Sequence, residues 1–382
     1  RFCPYAPALS ILLLPMLVAV LISAYISMTL AFLTPNLAAA IGAGAADAAG
    51  MMRHLVMLTK YLPGMSIDLF TVPAWCVVLF YLAVGLWVVA RKSRLMLSAA
   101  SVATLGIVVG IVATQRPAPA PPIGRLHVLN VAHGAMTLLH APDGKTYLFD
   151  AGTLAPIDAY GQVLRPFLRA KRLPSPEAVF ISHANIDHYN ALPALLTRRA
   201  PRQAYLNEFF GLREEASPDV RELLGDFEKR NVRIIRLRAG QTVSLGSETS
   251  VEVLWPPGPE QAEGLDINNT SLVLRLRAGR RCVVIPGDIG EPAHAYLAKL
   301  PPEKIHADAL ILPHHGKASP TLKAFIDAVG PEMLIQSSSF RPAKPELLNA
   351  LGDRKRYATF DNGWIGLTFE SKGISVETMR SD

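Results

Sequence analysis

The chain has 382 residues, of which 50% are hydrophobic and 18% are charged, and its mean hydropathy is +0.27. This composition is too apolar for an ordinary soluble protein and too charged for a protein that lies wholly in a membrane. The charges divide unevenly, because residues 1–114 hold eight charged side chains and residues 115–382 hold the other 61. The sequence therefore predicts a membrane part followed by a globular part. The globular part is weakly basic, which permits a polyanionic substrate without requiring one.

Three uncharged apolar runs occupy residues 8–33, 72–90 and 95–114. A bilayer core of about 30 Å needs roughly 20 helical residues, so each run is long enough to span it. An Ala/Gly-rich segment, residues 36–50, separates the first two runs, and the stretch "MMRHLVMLTKYL" follows it. The apolar residues of this stretch share one helical face, which predicts either an interfacial helix or a helix packed against the spans.

Three cations lie in residues 91–94, "RKSR", between the second and third apolar runs. Short basic loops favour the cytoplasmic side of a membrane. We therefore expect a multi-pass protein of the cell (inner) membrane whose globular part lies outside the cytoplasm. Residues 115–122 form a stiff, Pro-rich linker. Because the chain starts at Arg1, we expect it to be a piece of a longer protein. The three cysteines are far apart, so no disulfide framework is predicted.

The globular part alternates strand and helix signals. The first apolar runs are "RLHVLNVA", "AMTLLHA" and "TYLFD", and Asp143 and Gly144 predict a hairpin turn between the last two. After "AVFISH" a helix is predicted over residues 189–199. The later runs "VRIIRL", "VEVLWP", "TSLVLRLRAG", "RCVVIPGD", "ALILPHHG" and "EMLIQSSS" accompany helices predicted over residues 292–299 and 321–329. This order predicts an α/β sandwich of two sheets with helices outside.

Four of these strands end on side chains that bind metals. Asp150 ends one strand, His183 follows a second, Asp288 follows a third, and His314 and His315 follow a fourth. Ligands in α/β folds bind at the carboxyl ends of the strands. Imidazole and carboxylate are the donors of hydrolytic zinc or manganese sites.

The spacing of His183, Asp187 and His188 after a buried strand is the most specific of these signals. A pair of divalent ions in such a ligand set polarises a scissile bond and activates water at neutral pH. A single histidine is more often an ordinary packed or surface residue. We expect that ordinary role for His127, His133, His140, His294 and His306.

The order of the motifs resembles the C-terminal part of the ComEC family, membrane channels that import single-stranded DNA during natural transformation. "LNVAHGAMTLLHAPDGKTYLFDAG" is similar to the opening hairpin of that family, and "SHANIDHYNAL" to its S-H-x-D-x-D-H motif. "NNTSLVLRLRAGRRCVVIPGDI" is similar to its N-x-x-S-L-V-L run leading to G-D, and "ALILPHHG" to its P-H-H-G motif. "YLPGMSIDLFTVPAWCVVLFYLAV" is similar to the end of the competence membrane domain. The resemblance covers nearly the whole chain.

The resemblance implies a fold and a division of the chain. Residues 1–114 would be the end of the transmembrane competence or channel domain, and residues 123–382 a metallo-β-lactamase-like αββα sandwich. The upstream part of such a protein would carry most of the channel and an OB-like domain.

The resemblance also implies a site and an activity. Two divalent metal ions, zinc or manganese, would be held by His183, Asp187, His188, Asp288, His314 and His315. Asp187 and Asp288 would be the catalytic carboxylates, and Asp150 would support the site. The implied activity is hydrolysis of phosphodiester bonds in the DNA strand that is not imported. The implied partners are DNA, the membrane and other DNA-uptake proteins.

Several positions depart from the family pattern. Asn185 replaces an aspartate, and an asparagine is a weaker, neutral ligand. Lys344 stands where the family often has a histidine, and a protonated lysine cannot ligate a metal. We therefore expect one metal position to be weak. The other departures are Asn130 and Ala135 for acidic residues, His133 for a glutamine and Lys317 for a serine.

These departures keep two alternatives open. In the first, the globular part is catalytically degenerate and serves as a DNA-binding or structural part of the channel. In the second, it is a membrane-tethered hydrolase of another ester, such as a phosphodiester of lipid or cell wall.

Overall fold

The computed structural model describes residues 6–59, 70–90, 93–212, 217–258, 264–338 and 345–380. The chain divides into two compact units, Arg1–Gln115 and Arg116–Asp382. Lys344 and two cations of the 91–94 turn lie outside the described residues.

The described helices of the first unit are α1 (Ala6–Leu30), α2 (Pro35–Leu58), α3 (Ala74–Val89) and α4 (Arg94–Thr114). Leu9–Leu30 and Arg94–Thr114 are long and apolar enough to cross a bilayer, and they fit the predicted membrane part. α3 has 16 residues, a length of about 24 Å. The second predicted run, 72–90, thus forms a shorter helix than the sequence predicts, because Pro73 precedes its first turn.

α2 joins two segments that the sequence separates. The Ala/Gly-rich stretch 36–50 and the first residues of "MMRHLVMLTKYL" are one continuous helix packed along α1. The Ser27 hydroxyl donates to the Ala38 carbonyl at 2.6 Å. A Cβ at Gly42 would lie 2.9 Å from the same hydroxyl oxygen. Small residues therefore let the two helix backbones approach closely.

The orientation of the helical unit in the membrane stays a prediction, and a reporter fusion can measure it directly. A reporter that works only outside the cytoplasm is expected to be active when fused after Asp382, because the 91–94 turn is short and basic. The same reporter inserted in that turn is expected to be silent. The reverse pair of results would invert the topology.

The second unit is an αββα sandwich. Its strands are β1 (Arg125–Val128), β2 (Met136–His140), β3 (Thr146–Ala151), β4 (Ala178–Ile181), β5 (Gln203–Asn207), β6 (Arg233–Leu237), β7 (Thr242–Ser244), β8 (Thr249–Trp255), β9 (Val273–Ala278), β10 (Arg281–Ile285), β11 (Ala309–Ile311), β12 (Met333–Gln336), β13 (Lys355–Ala358), β14 (Ile365–Glu370) and β15 (Gly373–Thr378). Its helices are α5 (Arg165–Ala170), α6 (Leu192–Arg199), α7 (Pro218–Lys229), α8 (Glu291–Leu297), α9 (Pro302–Ile305), α10 (Leu322–Val329), α11 (Pro345–Leu351) and α12 (Thr359–Asn362).

The two sheets share one plan. The first has the order β15-β14-β1-β2-β3-β4-β5-β6 and the second β13-β12-β11-β10-β9-β8-β7. In each sheet one side is antiparallel and the other is parallel. The parallel strands are β3 to β6 in the first sheet and β10 to β13 in the second. Gly144 (φ +80°) makes the β2–β3 turn, which confirms the predicted hairpin.

The sheets face each other across an apolar core, and helices cover both outer faces. The rings of Phe149, Phe180 and Tyr205 stack across β3, β4 and β5, with centroids 4.9 and 4.4 Å apart. Strands buried on both faces need continuous apolar sequence, which explains runs such as "AVFI". The fold confirms the α/β sandwich that the sequence predicts.

Candidate metal centre

Four loops converge at the carboxyl ends of neighbouring strands. In the first sheet, Asp150 is the next-to-last residue of β3, and β4 leads into residues 182–188. In the second sheet, β10 leads into Asp288 and β11 into residues 313–316. Side chains from both sheets therefore meet at one edge of the sandwich.

A single 3₁₀ turn, Ile186–His188, presents two of these side chains together. Asp187 and His188 are both buried. The Ser182 hydroxyl lies 3.0 Å from Nδ1 of His183 and 3.2 Å from Nδ1 of His188. The Ser182 side chain, directly after β4, thus contacts both histidines of this segment.

Asp150 fixes the orientation of His188. Its backbone has a positive φ of 52°, a left-handed conformation that places the carboxylate at the end of β3. The carboxylate accepts the Ser182 N–H at 2.7 Å and lies 2.9 Å from Nδ1 of His188. Nε2 of His188 then faces Asp288 Oδ1 at 3.3 Å. The contact with Asp150 orients the imidazole in the way that supporting carboxylates do at metal sites.

Asp187, His188, Asp288 and His315 each offer one ligand atom, and these atoms lie within 4.8 Å of one another. Nε2 of His315 is 3.4 Å from Oδ2 of Asp187 and 3.4 Å from Oδ2 of Asp288. Its Nδ1 lies 3.2 Å from the Ser337 carbonyl. We call these four ligand residues the DHDH cluster.

The DHDH cluster fits a divalent cation. The buried Nε2 atoms of His183, His188 and His315 make no hydrogen bond among the described residues, although those of His188 and His315 face carboxylates at 3.3 and 3.4 Å. Buried polar atoms are normally satisfied, so three imidazole nitrogens left over at one place indicate a ligand. Two imidazoles and two carboxylates are a donor set that zinc and manganese accept.

The charges of the cluster are strongly coupled. Burial opposes protonation of His188, but the carboxylates of Asp288 and Asp150 outweigh it and raise the pKa of that imidazole well above its usual range. Burial alone would raise the pKa of Asp288, but His188 and His315 lower it far below the usual carboxyl range. Burial and the neighbouring His188 lower the pKa of His183 to about 3. His183 is therefore neutral, the form in which imidazole binds a metal.

Known proteins share this domain. Residues 145–318 match the β-lactamase superfamily domain. ComE operon protein 3 of Bacillus subtilis (strain 168) is 25% identical over 228 residues, which cover 56% of this chain and 28% of that protein. Competence protein ComA of Neisseria gonorrhoeae is 29% identical over 98 residues, which cover 26% of this chain and 14% of that protein. These relatives bear out the resemblance to the ComEC family.

The matched residues span only 28% and 14% of the length of these two relatives. A solved metallo hydrolase from Ignicoccus hospitalis is 12% identical and covers 68% of this chain and 100% of its own, with a TM-score of 0.39. The metallo-β-lactamase fold of the second unit rests on its strand order and on the domain match.

Two histidines named by the sequence lie beside the DHDH cluster. His183 is fully buried and its ring centroid is 4.2 Å from that of His188. His314 is half-buried with a φ of 49°, and its ring centroid is 6.4 Å from that of His315. The left-handed turn at 314 and 315 sends the two side chains in different directions. His315 enters the cluster and His314 lines a neighbouring cleft.

Asn185 makes a side-chain contact of its own. Its Nδ2 donates to Oδ1 of Asn268 at 2.6 Å. Asn268 begins the 3₁₀ turn Asn268–Thr270, which precedes β9 in the second sheet. The two amides therefore bridge the two halves of the sandwich next to the DHDH cluster. We call this pair the Asn185–Asn268 bridge.

Sequence reasoning missed His133 as a member of the site's surroundings. Its Nε2 lies 4.0 Å from Oδ2 of Asp187, and its ring centroid is 4.7 Å from that of His315. Its position in the motif before β2 was the available signal. Three supporting residues carry no signal in the sequence. They are Asn207, which donates to the Ser182 carbonyl, Ser271, which accepts the Asp288 N–H, and Ser337, beside His315.

Gly152 allows the loop after β3 to contact the 3₁₀ turn Ile186–His188, which we call the metal-motif turn. A Cβ at this position would lie 2.4 Å from the carbonyl carbon of Asp187 and 2.6 Å from the His188 nitrogen. The Gly152→Ala variant is expected to displace the turn and to weaken metal binding about 10- to 100-fold, the usual effect of disturbing support around a metal site. Metal titration of the purified chain measures this.

Gly373→Ala is the matched control, because nothing lies within 4 Å of a Cβ at Gly373. It should bind metal like the unaltered chain. Unaltered metal affinity in Gly152→Ala would show that the turn does not depend on this close contact.

Proposed function

We propose that the chain is the C-terminal part of a DNA-uptake channel and that its second unit hydrolyses phosphodiester bonds of incoming DNA. The DHDH cluster, in which buried imidazole nitrogens and carboxylate oxygens converge, is the observation that carries the hydrolytic half of this proposal. The similarity to competence proteins supports the DNA-uptake half.

Asp187, His188, Asp288 and His315 would hold the metal, zinc or manganese, and His183 lies beside them. A bound divalent ion supplies a Lewis acid and lowers the pKa of water near neutrality. The residues around the cluster orient it: Asp150 holds His188, and the Ser337 carbonyl faces His315. Lys317 and His314 line the same cleft as Asp288 and offer donors to a phosphodiester anion.

The rest of the assignment follows the sequence. Residues 1–114 end the channel domain, residues 115–122 are the linker, and residues 123–382 form the hydrolase. The protein is anchored in the inner membrane with the hydrolase outside the cytoplasm. DNA and other DNA-uptake proteins are its partners.

The Asn185–Asn268 bridge favours a second candidate function. The hydrogen bond occupies the Asn268 oxygen, and the Asn185 oxygen that remains is a neutral, weak ligand for a second ion. The second unit would then bind DNA or structure the channel without hydrolysis.

Metal analysis and a hydrolysis assay on the full chain in detergent decide between these functions. The hydrolase proposal expects bound zinc or manganese and metal-dependent cleavage of DNA. A chain that binds DNA, takes up no metal and cleaves nothing would establish the second function. Cleavage of other phosphodiesters without cleavage of DNA would indicate a different ester substrate.

A further inference from the structure

Two clefts lie on either side of the Asn185–Asn268 bridge. The first, of about 330 Å³, is lined by Asn185 and Ile186, together with Phe209 and Ile267. The second, of about 430 Å³, contains Asp288, His314 and Lys317. Asn185 lines the first cleft and its partner Asn268 lines the second, so the Asn185–Asn268 bridge separates them.

The walls of the first cleft are apolar and partly open. Phe209 is half-buried, and Ile186 and Ile267 are 42% and 36% exposed. Tyr189 and Phe210 are buried behind them. Phe209 is therefore the aromatic ring among the described lining residues that an incoming group can reach.

The polar groups of this cleft suit a neutral donor better than an anion. Asp219 and Ser217 line it at the start of α7. The Asp219 carboxylate already complements the positive end of that helix. Among the described residues of the cleft, none is a lysine or an arginine. A phosphate would meet a carboxylate there, whereas an amino group would find an acceptor.

The aromatic wall is held in place from outside the cleft. Nη1 of Arg236 donates to the carbonyls of Asn207, Glu208 and Phe210 at 3.2, 3.2 and 2.9 Å. The loop that carries Phe209 is thus fixed before any ligand arrives, which lowers the entropy cost of binding.

We propose that the first cleft binds one unstacked base of the DNA strand whose phosphodiester lies in the second cleft. This inference rests on the proposed function and deepens it, because a base can enter only from an unpaired or locally opened strand. The base stacks on Phe209, a contact that every base can make. The exocyclic amino group of an adenine, cytosine or guanine donates to Asp219, as the amino group of cytosine does to carboxylates.

Fluorescence anisotropy of the full chain in detergent tests the inference, with a chelator present so that hydrolysis plays no part. The probes are a labelled single-stranded oligodeoxynucleotide and an abasic oligomer of equal length and charge. The unaltered chain is expected to bind the base-containing oligomer about 10-fold more tightly, and Phe209→Ala should remove most of that difference. Tyr296→Ala is the control, because this exposed ring lines neither cleft.

Equal affinity of the unaltered chain for the two oligomers, or no binding of either, would overturn the inference. So would tighter binding of a duplex of the same sequence with the same dependence on Phe209. The comparison of oligomers needs no metal, so it still tests the base-binding cleft if the hydrolase proposal fails. Metal-dependent cleavage together with equal affinities would refute the base-binding cleft alone.

Discussion

Replacement of Asp288 by alanine is expected to abolish metal binding and metal-dependent hydrolysis. Its carboxylate is buried and faces both imidazoles of the DHDH cluster, at 3.3 Å from His188 and 3.4 Å from His315. The Ser271 hydroxyl, which accepts the Asp288 N–H, fixes its backbone. Loss of a direct ligand should lower metal affinity by at least about 100-fold, the upper range for loss of a supporting residue. Asp187→Ala is expected to act in the same direction.

Metal content, turnover and thermal unfolding of the full chain measure this effect. Asp327→Ala is the matched control. It removes a surface carboxylate that pairs with Lys323 and Arg354, a contact worth about 1 kcal/mol or less. If Asp288→Ala kept the metal content and turnover of the unaltered chain, the ligand assignment would be wrong.

The Asn185→Asp variant is expected to bind metal about 10-fold more tightly or more, and to gain activity at limiting metal concentration. A carboxylate at position 185 accepts but cannot donate, so the present hydrogen bond to the Asn268 oxygen is lost or replaced by one from the Asn268 amide. An anionic group is thereby added between His183 and Asp187 in the chain. The added charge attracts a dication, whereas the amide it replaces is neutral.

Asn185→Ala separates the two changes in this variant, because it breaks the bridge without adding charge. It should not tighten metal binding. Metal titration of the three chains supplies the comparison. Negligible uptake by all three would end the hydrolase proposal and leave the DNA-binding function. Equal, substantial uptake by all three would mean that position 185 does not contribute to the site.

The sequence anticipates the fold best where the signal is local. The run "AVFI" is apolar on both faces, so it predicts a strand inside a sandwich, and β4 occupies it. The helix after it starts at Leu192 and not at residue 189, because Tyr189 ends the 3₁₀ turn Ile186–His188 with a non-helical φ of −141°. α2 runs past residue 50 because alanine-rich sequence favours a continuous helix despite its glycines.

The site is less predictable because it depends on packing between distant segments. Adjacent His314 and His315 look equivalent as sequence, and only the left-handed turn before Gly316 divides them. A Cβ at Gly316 would lie 2.6 Å from the Gln336 side chain, so the neighbouring strand shapes this turn. His133 reaches Asp187 because the β1–β2 connection folds over the cluster. The spacing of residues along the chain predicts neither the left-handed turn nor the approach of His133 to Asp187.

The origin of the DHDH cluster in two sheets has a consequence for assembly of the molecule. Asp187 and His188 leave β4, whereas Asp288 and His315 leave β10 and β11, about a hundred residues later in the chain. Contacts between segments this far apart carry a large loop-closure entropy cost, which slows folding. The ligand set is therefore complete only when both halves have packed, and a bound ion would stabilise the packed state over the unfolded chain by mass action. Occupancy of the metal site therefore depends on completion of the whole sandwich.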